Sequence, residues 1–214
     1  WLFDTLAPTA TAVVNADSPQ ARAIVADCPA RVLRYGMEPT ADLWARIERM
    51  DMTGCRLAIA TPWGRATATL PLIGRHNVSN ALAALGATLA VGVDMPTAVA
   101  GLESAGQTPG RFQRVGSPDL PIAVLVDYAH TDDALSNALS ALTPIRTAGL
   151  TVVFGCGGNR DRTKRPRMGR VAATLADRVI VTSDNPRHES PDAIIAEIVA
   201  GIDPHAMART TVEP

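Results

Sequence analysis

The period of apolar positions changes partway along this chain. In the first half, short apolar runs come first. Thr11 to Asp17 reads as a strand that stops at Asp17-Ser18-Pro19, a cap-and-first-turn signature that predicts a helix start. Ala30 to Tyr35 reads as a second strand. Arg56–Thr61 and Ala66–Leu70 alternate on either side of Pro62-Trp63-Gly64-Arg65, which predicts a hairpin. The period then lengthens: Val78, Ala81, Leu82, Leu85 and Leu89 fall at helical spacing and predict a helix over Asn77–Val91. A shorter helix, Met95–Ser104, is expected after Asp94. Thr108-Pro109-Gly110 breaks this pattern. Gly, Pro and polar residues gather over Gly106–Pro121, so two domains are expected, 1–108 and 109–214.

Beyond the break, strand and helix alternate. Strands are expected at Ile122–Val126, Leu150–Phe154 and Arg178–Thr182, and helices at Asp132–Leu142, Lys164–Ala176 and Pro191–Gly201. Near-continuous Val/Ile/Leu strands joined by crossover helices indicate a parallel sheet covered on both faces, hence a Rossmann-like α/β domain. Arg209–Val212 begins a further strand just before the last residue. Trp1 and Pro214 therefore both look like cut ends of a longer chain.

Composition narrows the function classes. The 214 residues are 47% hydrophobic and 19% charged, a globular balance. Twenty basic and 21 acidic residues leave a net charge of −1, so no overall field draws nucleic acid or an anionic membrane. Cys28, Cys55 and Cys156 show neither disulfide nor zinc spacing, which suits a reduced compartment. No signal peptide or membrane-length apolar run is visible. Phosphate or carboxylate affinity has to come from local placement.

Local placement is where the chain is informative. Two expected strands end in cationic loops, Gly155-Cys156-Gly157-Gly158-Asn159-Arg160-Asp161-Arg162-Thr163-Lys164-Arg165 and Asp184-Asn185-Pro186-Arg187. Ligands of open parallel sheets bind outside the carboxyl ends of strands. Glycines there admit close backbone approach, and arginines there present bidentate forks to carboxylates. The first loop is neither a Walker loop nor a G-x-G-x-x-G turn. Its four basic residues within six positions favour an anion-binding role over solvated charge. Asp127, at the end of the Ile122–Val126 strand, suits ribose hydroxyls, and His130 suits a phosphate or a helix cap. Asn77 and Asn80, three apart, share a helical face that suits a purine edge; N-capping is the plainer role. Arg111 sits at the hinge.

Gly74-Arg75-His76-Asn77-Val78-Ser79-Asn80-Ala81, Gly110-Arg111-Phe112, Asp127-Tyr128-Ala129-His130-Thr131, Gly155-Cys156-Gly157-Gly158-Asn159-Arg160-Asp161 and Asp184-Asn185-Pro186-Arg187, in that order, strongly resemble the Mur ligase family. Within it the resemblance is greatest to the branch that adds meso-diaminopimelate, and it runs from Asn15-Ala16-Asp17 to the helix at Pro191. It implies an α/β protein, the C-terminal portion of a central ATPase domain (1–108) followed by a Rossmann-like ligase domain (109–214). The implied enzyme is a cytoplasmic, monomeric ligase of peptidoglycan precursor synthesis. It uses ATP with Mg2+ to join meso-diaminopimelate to a UDP-muramoyl dipeptide through an acyl phosphate.

Carried over by position, Asn77 and Asn80 match adenine-side asparagines, Arg111 the hinge arginine and Asp127 the ribose aspartate, with His130 also on the ATP side. Arg160, Asp184, Asn185, Pro186 and Arg187 match the diaminopimelate-binding residues, and Lys164 a basic residue near phosphate and substrate carboxylate. Enzymes of the lysine-adding branch generally do not have the arginine at 187. Thr131-Asp132-Asp133 departs from the family's Thr-Pro-Asp. The family's P-loop, metal-binding residues and carbamylated lysine precede this stretch, and a glycine-rich segment ending in His-Glu follows it. No catalytic or metal-ligating residue is therefore assigned here, and the chain by itself is expected to be inactive. Rival readings are another Mur or folylpolyglutamate-type ligase, or a nucleotide-binding module without catalysis. A nicotinamide dehydrogenase is disfavoured by the missing glycine fingerprint.

Overall fold

The computed structural model describes residues 2–117 and 120–213. Backbone contacts divide the chain into two compact units, residues 1–108 and 109–214. Pro118 and Asp119, inside the expected linker, lie outside the described residues.

The first unit is a five-stranded mixed sheet in sequential order: β1 (Thr11–Asn15), β2 (Arg31–Gly36), β3 (Leu43–Asp51), β4 (Gly54–Thr61) and β5 (Gly64–Leu70). The first three strands pair in parallel and the last three antiparallel. The predicted hairpin is present, closing at Thr61 opposite Gly64. β3 was not anticipated. Its exposed positions carry Arg46, Glu48 and Arg49, and only Leu43 and Ala45 are fully enclosed, so its alternation is diluted by charge. The helix expected after Asp17 is reduced to a 3-10 turn over Ala23–Val25. Asp17 instead accepts hydrogen bonds from the Met37 amide at 3.1 and 3.2 Å, bracing the end of β2 rather than capping a helix.

Helix α1 (Arg75–Ala90) buries Val78, Leu82, Leu85 and Leu89 against Leu43, Leu57, Ile59 and Leu70 of the sheet. Helix α2 (Met95–Glu103) is capped by Asp94, whose carboxylate accepts from the Thr97 amide at 3.0 Å.

The second unit starts with a short antiparallel pair, β6 (Gln113–Val115) and β7 (Val124–Val126). Then β8 (Thr151–Phe154), β9 (Arg178–Thr182) and β10 (Thr210–Glu213) form a parallel sheet in the order β10-β9-β8. Helices α3 (Asp132–Leu142), α4 (Lys164–Leu175) and α5 (Pro191–Val199) lie near the predicted bounds. Val152, Val179 and Val181 share one core with Leu135, Leu139, Met168, Ala172, Ile194 and Ile198.

Two expectations need correction. The sheet is not buried on both faces along β8, since Val153 is 60% exposed. The strand expected at Ile122–Val126 is β7, and it pairs with β6 rather than joining the parallel sheet. An apolar slot of about 190 Å3, lined by Leu125, Leu135, Leu139 and Val152 among others, takes the place of that pairing.

The α4–α5 crossing depends on two glycines. A Cβ at Gly169 would stand 2.1 Å from the Ile198 carbonyl oxygen, and one at Gly201 would stand 1.8 Å from that of Pro166. Backbone meets backbone there, so relief requires the helices to separate. Gly169→Ala should lower the stability of the second unit by at least about 1–3 kcal/mol, the usual cost of overpacking. Urea unfolding followed by circular dichroism measures it, and an unchanged midpoint would show that the crossing is looser than this.

Candidate functional site

Gly155–Arg165 leaves the carboxyl end of β8, and Ser183–Glu189 leaves that of β9, its hydrogen-bonded neighbour. The first loop's glycines let the second come into contact. A Cβ at Gly155 would lie 2.4 Å from the Thr182 carbonyl oxygen, and one at Gly158 would lie 1.9 Å from that of Pro186. The Gly158 amide donates to the Asn185 carbonyl at 2.9 Å. Arg187 Nη1 donates to the Gly158 carbonyl at 2.7 Å, and the His188 amide donates to Asn159 Oδ1 at 3.1 Å. The two loops form one surface.

Two residues turn the chain to make this fit. Asn159 and Arg187 take φ values of 51° and 52°, a left-handed conformation uncommon for any residue but glycine and least costly for asparagine or aspartate. At Arg187 it folds the guanidinium back over Gly157, where a Cβ would stand 2.8 Å from Nη1. Strain of this kind persists only where surrounding contacts hold it, and such residues cluster at ligand sites.

The basic residues of the first loop divide into two sets. Arg165 is wholly buried and Arg162 is paired, so neither serves as a free anion receptor, contrary to the sequence-based count of four cations. Arg165 Nη1 bonds Glu189 and Glu197, each at 2.8 Å, and its Nη2 bonds Glu189 at 2.9 Å. Arg162 bonds Glu197. Arg160 is exposed and has no partner among the described residues. Lys164 Nζ donates to the His130 carbonyl at 2.6 Å. The Asp184 and Asn185 side chains are exposed beside Arg187. Arg160, Lys164 and Arg187 are thus the cations on this surface that a ligand can recruit.

Glu189 was not singled out in the sequence. Its carboxyl is drawn down to about 2, first by the Arg165 hydrogen bonds and then by the Asn159 amide, which donates to Oε1. Burial of Cys156 pushes its thiol up, which argues against a reactive role.

The remaining candidates of the second unit form a neighbouring group. Asp127 Oδ2 accepts from the Phe112 amide at 2.8 Å, which ties the end of β7 to the hinge turn. The Arg111 guanidinium lies 5.3 Å from the Tyr128 ring centroid, and the Tyr128 and His130 rings are 5.3 Å apart. Lys164 joins this group to the loop surface through the His130 carbonyl. Helix α3 is capped by Thr131, whose hydroxyl accepts from the Ala134 amide, so His130 is not the cap.

In the first unit Asn77 and Asn80 occupy the start of α1. Asn77 Nδ2 donates back to the Ile73 carbonyl at 2.9 Å, and Asn80 is exposed. Neither caps the helix, because the N-cap is Gly74 at φ 98° with no side-chain bond. A cleft of about 610 Å3 opens nearby, lined by Asn15, Asp17, Glu38, Thr40, Arg75 and His76 among others; the two asparagines do not line it.

Residues 1–88 match the Mur ligase middle domain, and residues 110–213 match the Mur ligase glutamate ligase domain. The chain belongs to the Mur ligase family. It is 48% identical over 201 residues to the UDP-N-acetylmuramoyl-L-alanyl-D-glutamate–2,6-diaminopimelate ligase of Gloeobacter violaceus, covering 94% of this chain and 41% of that protein. A solved structure of a ligase with the same name superposes with a TM-score of 0.64 at 35% identity, over 95% of this chain and 42% of the other. MurF from Acinetobacter baumannii superposes with a TM-score of 0.76 over 99% of this chain and 44% of its own, but at 20% identity it speaks to the fold alone. The Mur ligase chain described here therefore spans about two fifths of the relatives it matches.

Arg165 is enclosed, whereas the Glu189 and Glu197 side chains keep 22% and 28% of their surface exposed, so removing the arginine leaves two carboxylates that water reaches only in part. Arg165→Ala should destabilise this Mur ligase domain by about 1–3 kcal/mol, the scale of lost hydrogen bonds between charged groups, seen as a lower urea midpoint; a change within about 0.5 kcal/mol would mean the pair is dispensable. Glu189 has a depressed folded pKa. Its contribution to stability is fully present above the ordinary carboxylate value of 4.5 and is lost as pH falls toward and through about 2. The stability advantage of the wild type over Glu189→Gln should stay constant above about pH 5 and shrink steadily below it. An advantage that does not change over that range would contradict the assignment.

Proposed function

We propose that this chain is the portion of a ligase that handles diaminopimelate and one side of ATP. The complete enzyme joins meso-diaminopimelate to UDP-N-acetylmuramoyl-L-alanyl-D-glutamate in peptidoglycan precursor synthesis. It acts as a cytoplasmic monomer on small-molecule substrates. The observation that carries the reading is the fused surface of the two loops, with Arg187 braced on Gly158 and an exposed Arg160 directly following Asn159, whose side chain bonds the His188 amide. A zwitterion with a carboxylate at its far end suits this arrangement. Arg187 and Arg160 take that carboxylate, while Asp184 and Asn185 supply acceptors for its ammonium group. Pro186 sets the turn between them.

ATP transfers its γ-phosphoryl group to the D-glutamate side-chain carboxylate, giving an acyl phosphate and ADP. The diaminopimelate amine attacks that carbonyl, the C–O bond to phosphate breaks, the amine gives up a proton, and inorganic phosphate leaves. Positioning and charge neutralisation supply most of such catalysis. The arginines act by holding the amine in attack geometry rather than by exchanging protons. Lys164 faces the phosphate end. Asp127, Arg111 and His130 serve ribose and phosphate, and Asn77 and Asn80 serve the adenine. Among the described residues no group of three or more His, Cys, Asp or Glu could hold a metal ion. No described helix is long and apolar enough to cross a membrane.

The test is steady-state kinetics of the full-length enzyme. Arg187→Ala should raise the diaminopimelate KM by about 10²-fold or more, the scale expected when a charged recognition contact of a few kcal/mol is lost. The ATP KM should stay within about twofold. A diaminopimelate KM equal to that of the wild type would remove the basis for the substrate assignment.

A further inference from the structure

Glu189 lies two residues beyond Arg187, and nothing in the proposed chemistry uses it. Its oxygens are shared between both loops and the core. Oε1 accepts from the Asn159 amide and from Arg165 Nη2, and Oε2 accepts from Arg165 Nη1 at 2.8 Å. Asn159 immediately precedes Arg160, so the carboxylate is anchored next to one substrate arginine in sequence and close to the other. Arg165 is fully enclosed and also bonds Glu197 of α5 at 2.8 Å. The anchor is therefore fixed to the helical layer rather than to solvent.

We infer that Glu189, held by Arg165, is a positioning residue for diaminopimelate: it fixes the spacing between Arg160 and Arg187. This rests on the substrate reading given above. Three features distinguish the arrangement from ordinary core packing. A buried ion pair is a poor way to gain stability, since apolar side chains of equal volume do as well or better. Arg165 Nε is buried with no hydrogen-bond partner among the described residues, so the network carries an added cost. Its endpoints fall at the two left-handed residues of these loops, Asn159 directly and Arg187 two residues away, where local geometry most needs an outside restraint. Sites of this kind tolerate only about 0.5 Å of error before rates suffer.

The experiment uses the full-length ligase, with diaminopimelate and ATP varied separately and melting followed in parallel. Glu189→Ala should raise the diaminopimelate KM by about tenfold or more while the ATP KM stays within about twofold. Glu189→Gln, which keeps the shape but turns an amide NH2 toward one of the Asn159 and Arg165 donors, should raise the diaminopimelate KM less than the alanine variant does. If the alanine variant does not fold, Glu189→Asp replaces it. It keeps the charge but is one methylene too short to span both donors, and the same rise is expected. Equal losses for both substrates together with lower melting would reduce Glu189 to a structural role and overturn the inference. So would an unchanged diaminopimelate KM in a variant that folds. Arg187→Ala assayed alongside separates the two levels. If it raises the diaminopimelate KM and the Glu189 variants do not, only the positioning role fails. If it does not, the substrate reading fails and this inference goes with it.

Discussion

One close backbone approach underlies the site. Gly158 stands so near the Pro186 carbonyl that no side chain fits between them, and this contact joins two neighbouring strand ends into a single surface. Were the loops one side chain further apart, Arg187 could not reach the Gly158 carbonyl, nor His188 the Asn159 side chain. The arginines would then be ordinary flexible surface cations, each losing about 2 kcal/mol of rotamer entropy on gripping a ligand. Here part of that ordering is already done by folding. The glycines matter less for flexibility than for the volume they leave empty.

The cost of holding two non-glycine residues in left-handed geometry is offset from below. Arg165 and its two glutamates are not an efficient way to stabilise a domain, yet they tie the loops to α4 and α5 through charge-assisted bonds that are short and directional. Apolar packing at the same place would stabilise as well but would not fix orientation. The network thus links the core, made of Val152, Val179, Val181 and the facing helices, to the geometry of the exposed arginines.

Much of this was legible in the sequence, for a definable reason. Periodicity located α3 and β9, because each buries one stripe or face against a single core. The cationic loops were visible because glycine and arginine clustered after a strand suit anion binding better than they suit a plain turn. Elements failed where tertiary context decided the outcome. β3 hid behind Arg46, Glu48 and Arg49 on its exposed side, and the Asp17-Ser18-Pro19 signature served to brace β2 instead of starting a helix. β7 has the composition of a parallel-sheet strand, yet its partner is β6. Arg165 and Glu189 stand 24 residues apart, so no local pattern marks one as the partner of the other. Arg165 looked like a fourth surface cation for the same reason. Burial alone separates a structural arginine from a recognition arginine, and burial is a property of the fold.

The same separation bears on specificity. Lysine and meso-diaminopimelate differ by one distal carboxylate. Arg165 already has its carboxylates within the protein and is indifferent to that difference. On the substrate reading proposed above, Arg187, with one nitrogen committed to Gly158 and no other partner among the described residues, turns its remaining donors to the guest. Bound lysine would desolvate this guanidinium and return nothing. A charged group left unpaired in this way costs a few kcal/mol, which corresponds to discrimination on the order of 10³. Selectivity of that size does not require a closed pocket that excludes lysine by shape. It requires that the fork be fixed before the substrate arrives, since a mobile arginine would turn to water and relieve the penalty.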